Sequence, residues 1–218
     1  MATQDRRERE RAERHQLIIR TARALAEAEG WEAVTIRRLA GGIEYSQPVL
    51  YTHFANRDAI VAAVALEGFA ELAADLRAAA READGPAAGF AAVVDAYAAF
   101  AAAGPALYDA MFTLATDLPF GRPDSPAPLK EAFAALAGPV AAVAGTRDPE
   151  TFTEVVWTAL HGLATLTRGG RLRPDFARRR LELLVAVMLG EPAGGAEGVG
   201  GTEGADGTGG VDGTAAGG

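Results

Sequence analysis

Apolar residues recur at intervals of three and four along most of this chain, from Ile18 to Met188, and runs of alternating β-branched residues are scarce. That spacing places apolar groups on one face of an α-helix and leaves little from which to build a half-buried sheet. Three clusters break the helical text: Asp84-Gly85-Pro86, the stretch from Leu118 to Pro126, and Gly145-Thr146-Arg147-Asp148-Pro149. The predicted helices run over about 7–29, 35–43, 46–54, from Asn56 through Leu76, and over about 87–103, 105–116, 127–144, 149–168 and 174–189. The expected fold class is therefore all-α, with about nine helices. About half of the residues are apolar, chiefly Ala, Leu and Val, enough for a sizeable core. From Glu191 onward Gly, Ala, Thr and acids take over, a composition unable to offset chain entropy, so 191–218 reads as a disordered acidic tail.

The chain has no cysteine, which excludes disulfides and thiolate chemistry and makes a reducing cytoplasm the natural compartment. No signal-peptide core follows the charged start, and no stretch reaches the roughly 18 apolar residues of a membrane span. No membrane partner and no cofactor are implied. The net charge of −8 is uneven: the tail adds five acids and no base, whereas residues 1–60 carry ten arginines against nine acids. A basic face for nucleic acid would have to come from arrangement rather than from totals.

Local signals in residues 1–60 predict a helix-turn-helix. Gly30 stops the first helix, Thr35 is placed to cap the second, and Ser46 to cap a third with Pro48 in its first turn, where a missing N–H costs nothing. Leu50 and Phe54 would face inward, leaving Gln47, Pro48, Tyr51 and Thr52 outward near the start of the helix that enters a major groove. Gln pairs bidentately with adenine, Pro and the Thr methyl touch thymine methyls, and Tyr51 and His53 reach phosphates, with Arg57 adding a cation nearby.

The run Thr35-Ile36-Arg37-Arg38-Leu39-Ala40, then Ser46-Gln47-Pro48-Val49-Leu50-Tyr51-Thr52-His53-Phe54, with Asn56-Arg57-Asp58 and Ile60 after it, resembles the TetR family of repressors over residues 15–65. The resemblance implies base contacts from Arg37, Gln47, Pro48 and Val49, and phosphate or sugar contacts from Thr35, Tyr51, His53 and Arg57. It departs from the family in the turn, where Glu44 stands in place of the usual Gly. The arginines at 6, 7, 9, 11 and 14 read either as a DNA-contacting arm or as a solvated helix extension paired with Glu8, Glu10 and Glu13.

Further on, Trp157, His161 and Gly162 resemble the Trp-His-Gly motif of one C-terminal domain class in that family. The implied organisation is a head over 1–60, an effector-binding and dimerisation body over 61–190, and the tail. A helical body offers an apolar pocket with a few polar handles, and the candidates are Tyr97, Phe100, Tyr108, Met111, Phe112, Phe133, Trp157 and His161. The last two helices carry Phe152, Val155, Val156, Leu160, Leu163, Leu181, Leu184, Val185 and Met188, material for a four-helix interface between two copies. The function this implies is a homodimeric repressor that holds a double-stranded operator and responds to a small apolar effector. An enzyme is disfavoured, since nothing resembles a nucleophile elbow, a phosphate loop or a metal pair. The competing reading is a helical adaptor whose head no longer holds DNA, and Glu44 is the feature in its favour.

Overall fold

In the computed structural model, which describes residues 2–114, 116 and 118–190, nine α-helices and two short 3-10 turns succeed one another, with no strand among the described residues. The acidic tail expected to be disordered lies outside them. The first helix, α1 (Ala2–Glu29), begins about five residues earlier than predicted. Arg6 and Arg14 each lie against Glu10 one turn away, at 3.5 and 3.6 Å, the pairing of a solvated extension. Its later turns bury Ile18, Ile19, Ala22 and Ala26. Gly30 ends it with a positive φ of 82° but an extended ψ, so the chain leaves directly into a 3-10 turn at Trp31–Ala33 rather than through a left-handed cap.

Helix α2 (Ile36–Gly42) is capped as the sequence predicts, the Thr35 hydroxyl accepting the Arg38 N–H at 3.2 Å. Helix α3 (Gln47–Tyr51) is shorter than predicted. Ser46 occupies the capping position with extended backbone but makes no side-chain bond, and Thr52, His53 and Phe54 leave the helix in a tight turn. Asn56 then caps α4 (Arg57–Glu82), its carbonyl oxygen accepting the Ala59 N–H at 2.8 Å. This helix passes without a break through residue 60, so the expected boundary between head and body falls inside one rigid element.

Around α4 the body assembles from α5 (Pro86–Ala103), α6 (Pro105–Phe112) and α7 (Ala127–Ala142), all three packed against it. Gly68 sits where α4 meets α6: a Cβ there would lie 2.6 Å from Met111 Sδ and 2.8 Å from a Leu107 methyl. Helix α6 stops four residues short of its expected end because the Asp109 carbonyl accepts both the Thr113 and Leu114 N–H groups, the pattern of a chain unwinding. By length and composition α5 could cross a membrane, contrary to the expectation that no such stretch exists, yet it is a core helix burying Phe90, Val93, Val94 and Tyr97.

Helix α8 (Pro149–Arg168), capped by Asp148, covers α5 and α7, and α9 (Ala177–Leu189), entered through a 3-10 turn at Pro174–Phe176, lies on α5. Phe152, Val156 and Leu160, read from sequence as interface material, are already buried within the chain. The large apolar residues these two helices leave exposed are Val155, Leu166, Leu183 and Val187.

Candidate nucleic-acid interface and the core of the body

The head presents α3 on a small apolar base. Leu50 is wholly buried and Phe54 nearly so, against a cluster that includes Ile18, Trp31, Val34 and Leu39. Fixing those two residues inward turns Gln47, Pro48, Tyr51 and Thr52 to solvent, and Tyr51 is 54% exposed. Val49 is half-buried, and the Thr52 hydroxyl donates to the Val49 carbonyl at 2.7 Å, which orients its methyl group. Thr35 and Arg37 are exposed at the start of α2. Arg37 projects beside an arginine that is already committed, for Arg38 makes two 2.8 Å bonds to the Glu29 carboxylate. The turn between α2 and α3 takes its angle from Glu44, whose φ of 57° lies in the left-handed region that a Gly would adopt without strain.

His53 is half-buried beside His15, which stacks on Phe54 with ring centroids 4.4 Å apart. Burial lowers its proton affinity, and His15, Arg11 and Arg14 lower it further, so α1 brings positive charge to the end of α3. Arg57 turns its guanidinium inward, Nε and Nη2 donating to the Val34 and Trp31 carbonyls at 2.9 and 2.8 Å, which ties the head together, while Nη1 lies 3.7 Å from Asp58. Tyr45, which the sequence reading passed over, is exposed in the turn and lines a cleft with Glu10, Glu13, Arg14, Leu17 and Arg20 of α1. Its only sequence signal is an aromatic residue directly before a helix cap.

Head and body meet at the N-terminus of α6. The Glu27 carboxylate accepts the Ala106 and Leu107 N–H groups at 3.1 and 2.9 Å, and the Trp31 indole donates to the Ala106 carbonyl at 2.7 Å. An anion at a helix N-terminus satisfies donors that have no partner within the helix. From the other side Arg168 donates to the Pro105 carbonyl and pairs with Asp109, both at 2.8 Å.

Five of the eight candidates in the body come together. The Trp157 indole donates to Tyr97 Oη at 3.2 Å, Tyr97 and Tyr108 hydroxyls lie 2.9 Å apart, and Tyr108 Oη is 2.8 Å from His161 Nδ1. One polarity satisfies every atom: Trp157 to Tyr97, Tyr97 to Tyr108, and Tyr108 to an unprotonated Nδ1, which requires neutral His161 with its proton on Nε2. Burial, and then Arg168, lowers the proton affinity of His161 and favours that form. Burial likewise raises both tyrosines, keeping them protonated as donors. Phe112 packs on Tyr108, Trp157 and His161, whereas buried Met111, next to it in sequence, lies against Gly68 of α4. Phe100 is buried on α5 but borders a separate cleft with Arg23 and Glu71. Phe133 does not belong to the cluster. The buried stripe of α7 runs through Leu129, Ala132, Leu136 and Val140, which turns Phe133 outward at 40% exposure.

A cavity of about 160 Å³ opens elsewhere, between α5, α8 and α9, and none of the eight candidates lines it.

Residues 18–64 match the model of bacterial regulatory proteins of the tetR family, and residues 90–188 match the tetracyclin repressor-like C-terminal domain. A protein of unknown function from Rhodococcus sp. RHA1 has a similar structure, with 26% identity and a TM-score of 0.67 over 80% of this chain and 93% of that one. A regulatory protein in the tetR family from Rhodococcus RHA1 shares the fold at 19% identity and a TM-score of 0.57, over 80% and 96% of the two chains. So does the transcriptional regulator FadR from Bacillus subtilis, solved in complex with stearoyl-CoA, at 15% identity and 0.62 over 78% and 97%. No curated protein matches the chain. With a head and a body that match in order, the chain belongs to the TetR family of transcriptional regulators.

Proposed function

We propose that this regulator is a cytoplasmic repressor that holds a palindromic operator as a homodimer and lets go when a small molecule occupies its body. The observation that carries the reading is the split on α3: Leu50 and Phe54 lock it to the head while Gln47, Pro48 and Tyr51 stand free at its start. In a major groove Gln47 pairs with adenine, Pro48 and the Thr52 methyl meet thymine methyls, and Tyr51 and His53 grip phosphate. Arg37 and Thr35 add contacts from α2. The exposed apolar residues of α8 and α9 fit a four-helix pairing with a second copy, which would set the two α3 helices about one DNA turn apart.

Release requires that effector binding be unequal between two arrangements of the head. The joint at α6 supports such coupling, because Tyr108 of the hydrogen-bonded cluster and the anchors for Glu27 and Trp31 sit on the same two-turn helix. FadR, solved with stearoyl-CoA, offers a ligand-bound precedent within the fold. The Trp-His-Gly class of the body belongs to this proposal as well.

Selection of genomic DNA on the purified protein at moderate salt, beside Tyr51→Ala and Gln47→Ala, tests the reading. Wild type recovers an imperfect palindrome, and Gln47→Ala costs about 1–3 kcal/mol at its adenine. Fragments that never enrich, even at low salt, would leave the adaptor reading with Glu44 as its cause.

A further inference from the structure

The cavity between α5, α8 and α9 owes its existence to small side chains. Ala98, Ala101 and Ala102 face Leu160, Leu163 and Leu181 where larger residues would close the gap. Its 160 Å³ is close to the roughly 150 Å³ of an engineered apolar cavity that accepts benzene, so it has room for one ring or a short alkyl chain.

Two arginines line the same space, and each keeps a buried donor with no acceptor. Arg168 spends Nη2 on Pro105 and Asp109, which leaves Nε unpartnered. Arg180 donates Nη1 to the Arg173 carbonyl at 2.8 Å, which leaves Nη2 unpartnered. A buried donor without an acceptor is costly, and more so on a charged group. Nothing apolar can relieve it. The charge count narrows the choice: Asp109 offsets Arg168, while Arg180 has no acidic partner among the described residues, so one positive charge is left over.

We propose that this cavity is the site of a small monocarboxylic acid with an apolar body, its carboxylate taken by Arg168 and Arg180 and its ring or chain by the alanine-lined hollow. Guanidinium and carboxylate make the strong, charge-assisted bonds that these donors lack, and a monoanion matches the single unbalanced charge. None of Tyr97, Tyr108 and His161 lines the cavity, although Arg168 lies over the Tyr108 ring at 5.2 Å and so adjoins both. Its use as an effector site rests on the repressor reading. There Arg168 matters twice, since it also grips the end of α6 to which Glu27 and Trp31 fasten the head.

Calorimetric titration of the full chain with benzoate and octanoate tests the site, with benzyl alcohol as the neutral isostere and inorganic phosphate as the anion without an apolar body. Saturable binding of an acid is expected, weaker by roughly tenfold or more for benzyl alcohol and for Arg180→Gln. Binding should disappear in Ala98→Leu, which fills the hollow and keeps both charges, while thermal unfolding stays cooperative. Absence of saturable binding by either acid to folded wild type would overturn the proposal. So would equal affinity for benzoate and benzyl alcohol, phosphate binding as tightly as benzoate, or an Arg180→Gln variant that binds unchanged. Adding the acid to a protein–operator complex separates the two readings. Failure to form that complex without acid counts against the repressor, whereas calorimetry alone decides the site.

Discussion

The head and the body put their chemistry on opposite sides of their packing. In the head a few buried residues hold α3 so that Gln47, Pro48 and Tyr51 meet solvent, and the candidate side chains scarcely touch one another. In the body Trp157, Tyr97, Tyr108 and His161 spend their polar atoms on each other, out of solvent or partly so. A surface that reads an external polymer must leave its donors free. An interior that tolerates polar atoms must pair them. The two regions should therefore respond differently to the same kind of damage.

The largest effect expected is from Leu50→Ala, which removes the wholly buried anchor of α3 and should cost about 3 kcal/mol. Operator binding is lost while the helicity of the body, read by circular dichroism, persists; retained binding would break the contrast by showing that α3 does not depend on its apolar base. Next comes Tyr108→Phe. Deleting the middle hydroxyl strands Tyr97 and His161 Nδ1, and chemical denaturation should register a loss of about 2 kcal/mol. If stability is unchanged, the cluster is not a closed network.

A gain is expected from Glu44→Gly. The left-handed backbone that strains a glutamate suits glycine, so unfolding should shift upward by about 1 kcal/mol. Removing the acid should also tighten operator binding, most visibly at low salt. A variant no more stable than wild type would mean that the turn relaxes around Glu44. Smallest is the response to pH. His161 and His53 are both held neutral in the fold, whereas in the unfolded chain histidine takes up its proton near the ordinary value of about 6.5. Stability is then full above that pH and declines as pH falls through the lower folded values. His161→Asn, which keeps an acceptor for Tyr108, should flatten the slope measured by thermal unfolding at a series of pH values.

The same contrast explains what could be read in advance. The head is written locally: Thr35 and Asn56 as caps, Pro48 in a first turn and the Leu50–Phe54 spacing all act within a few residues. The turn could be singled out because Glu44 sat where Gly was wanted. The inward bonds of Arg57 were not legible because its partners, Trp31 and Val34, lie more than twenty residues earlier. In the body five of the residues singled out cluster, but their bonds join positions up to 60 apart, and no periodicity encodes such pairings. Phe133 failed for a related reason, since which face of α7 turns inward depends on α4. The cavity was invisible altogether. It is made by what three helices omit, and alanine in a sequence reads as a helix former before it reads as space.

The chain has two tryptophans, and the fold has put one at the joint and one in the cluster. Trp31 is buried with its indole on Ala106, so any opening between head and body must expose it to water and shift its emission to the red. Replacing Trp157 by Phe would leave that single lamp. The protein thus carries a built-in optical gauge of the contact between head and body, readable without any dye or label while DNA or a small acid is added.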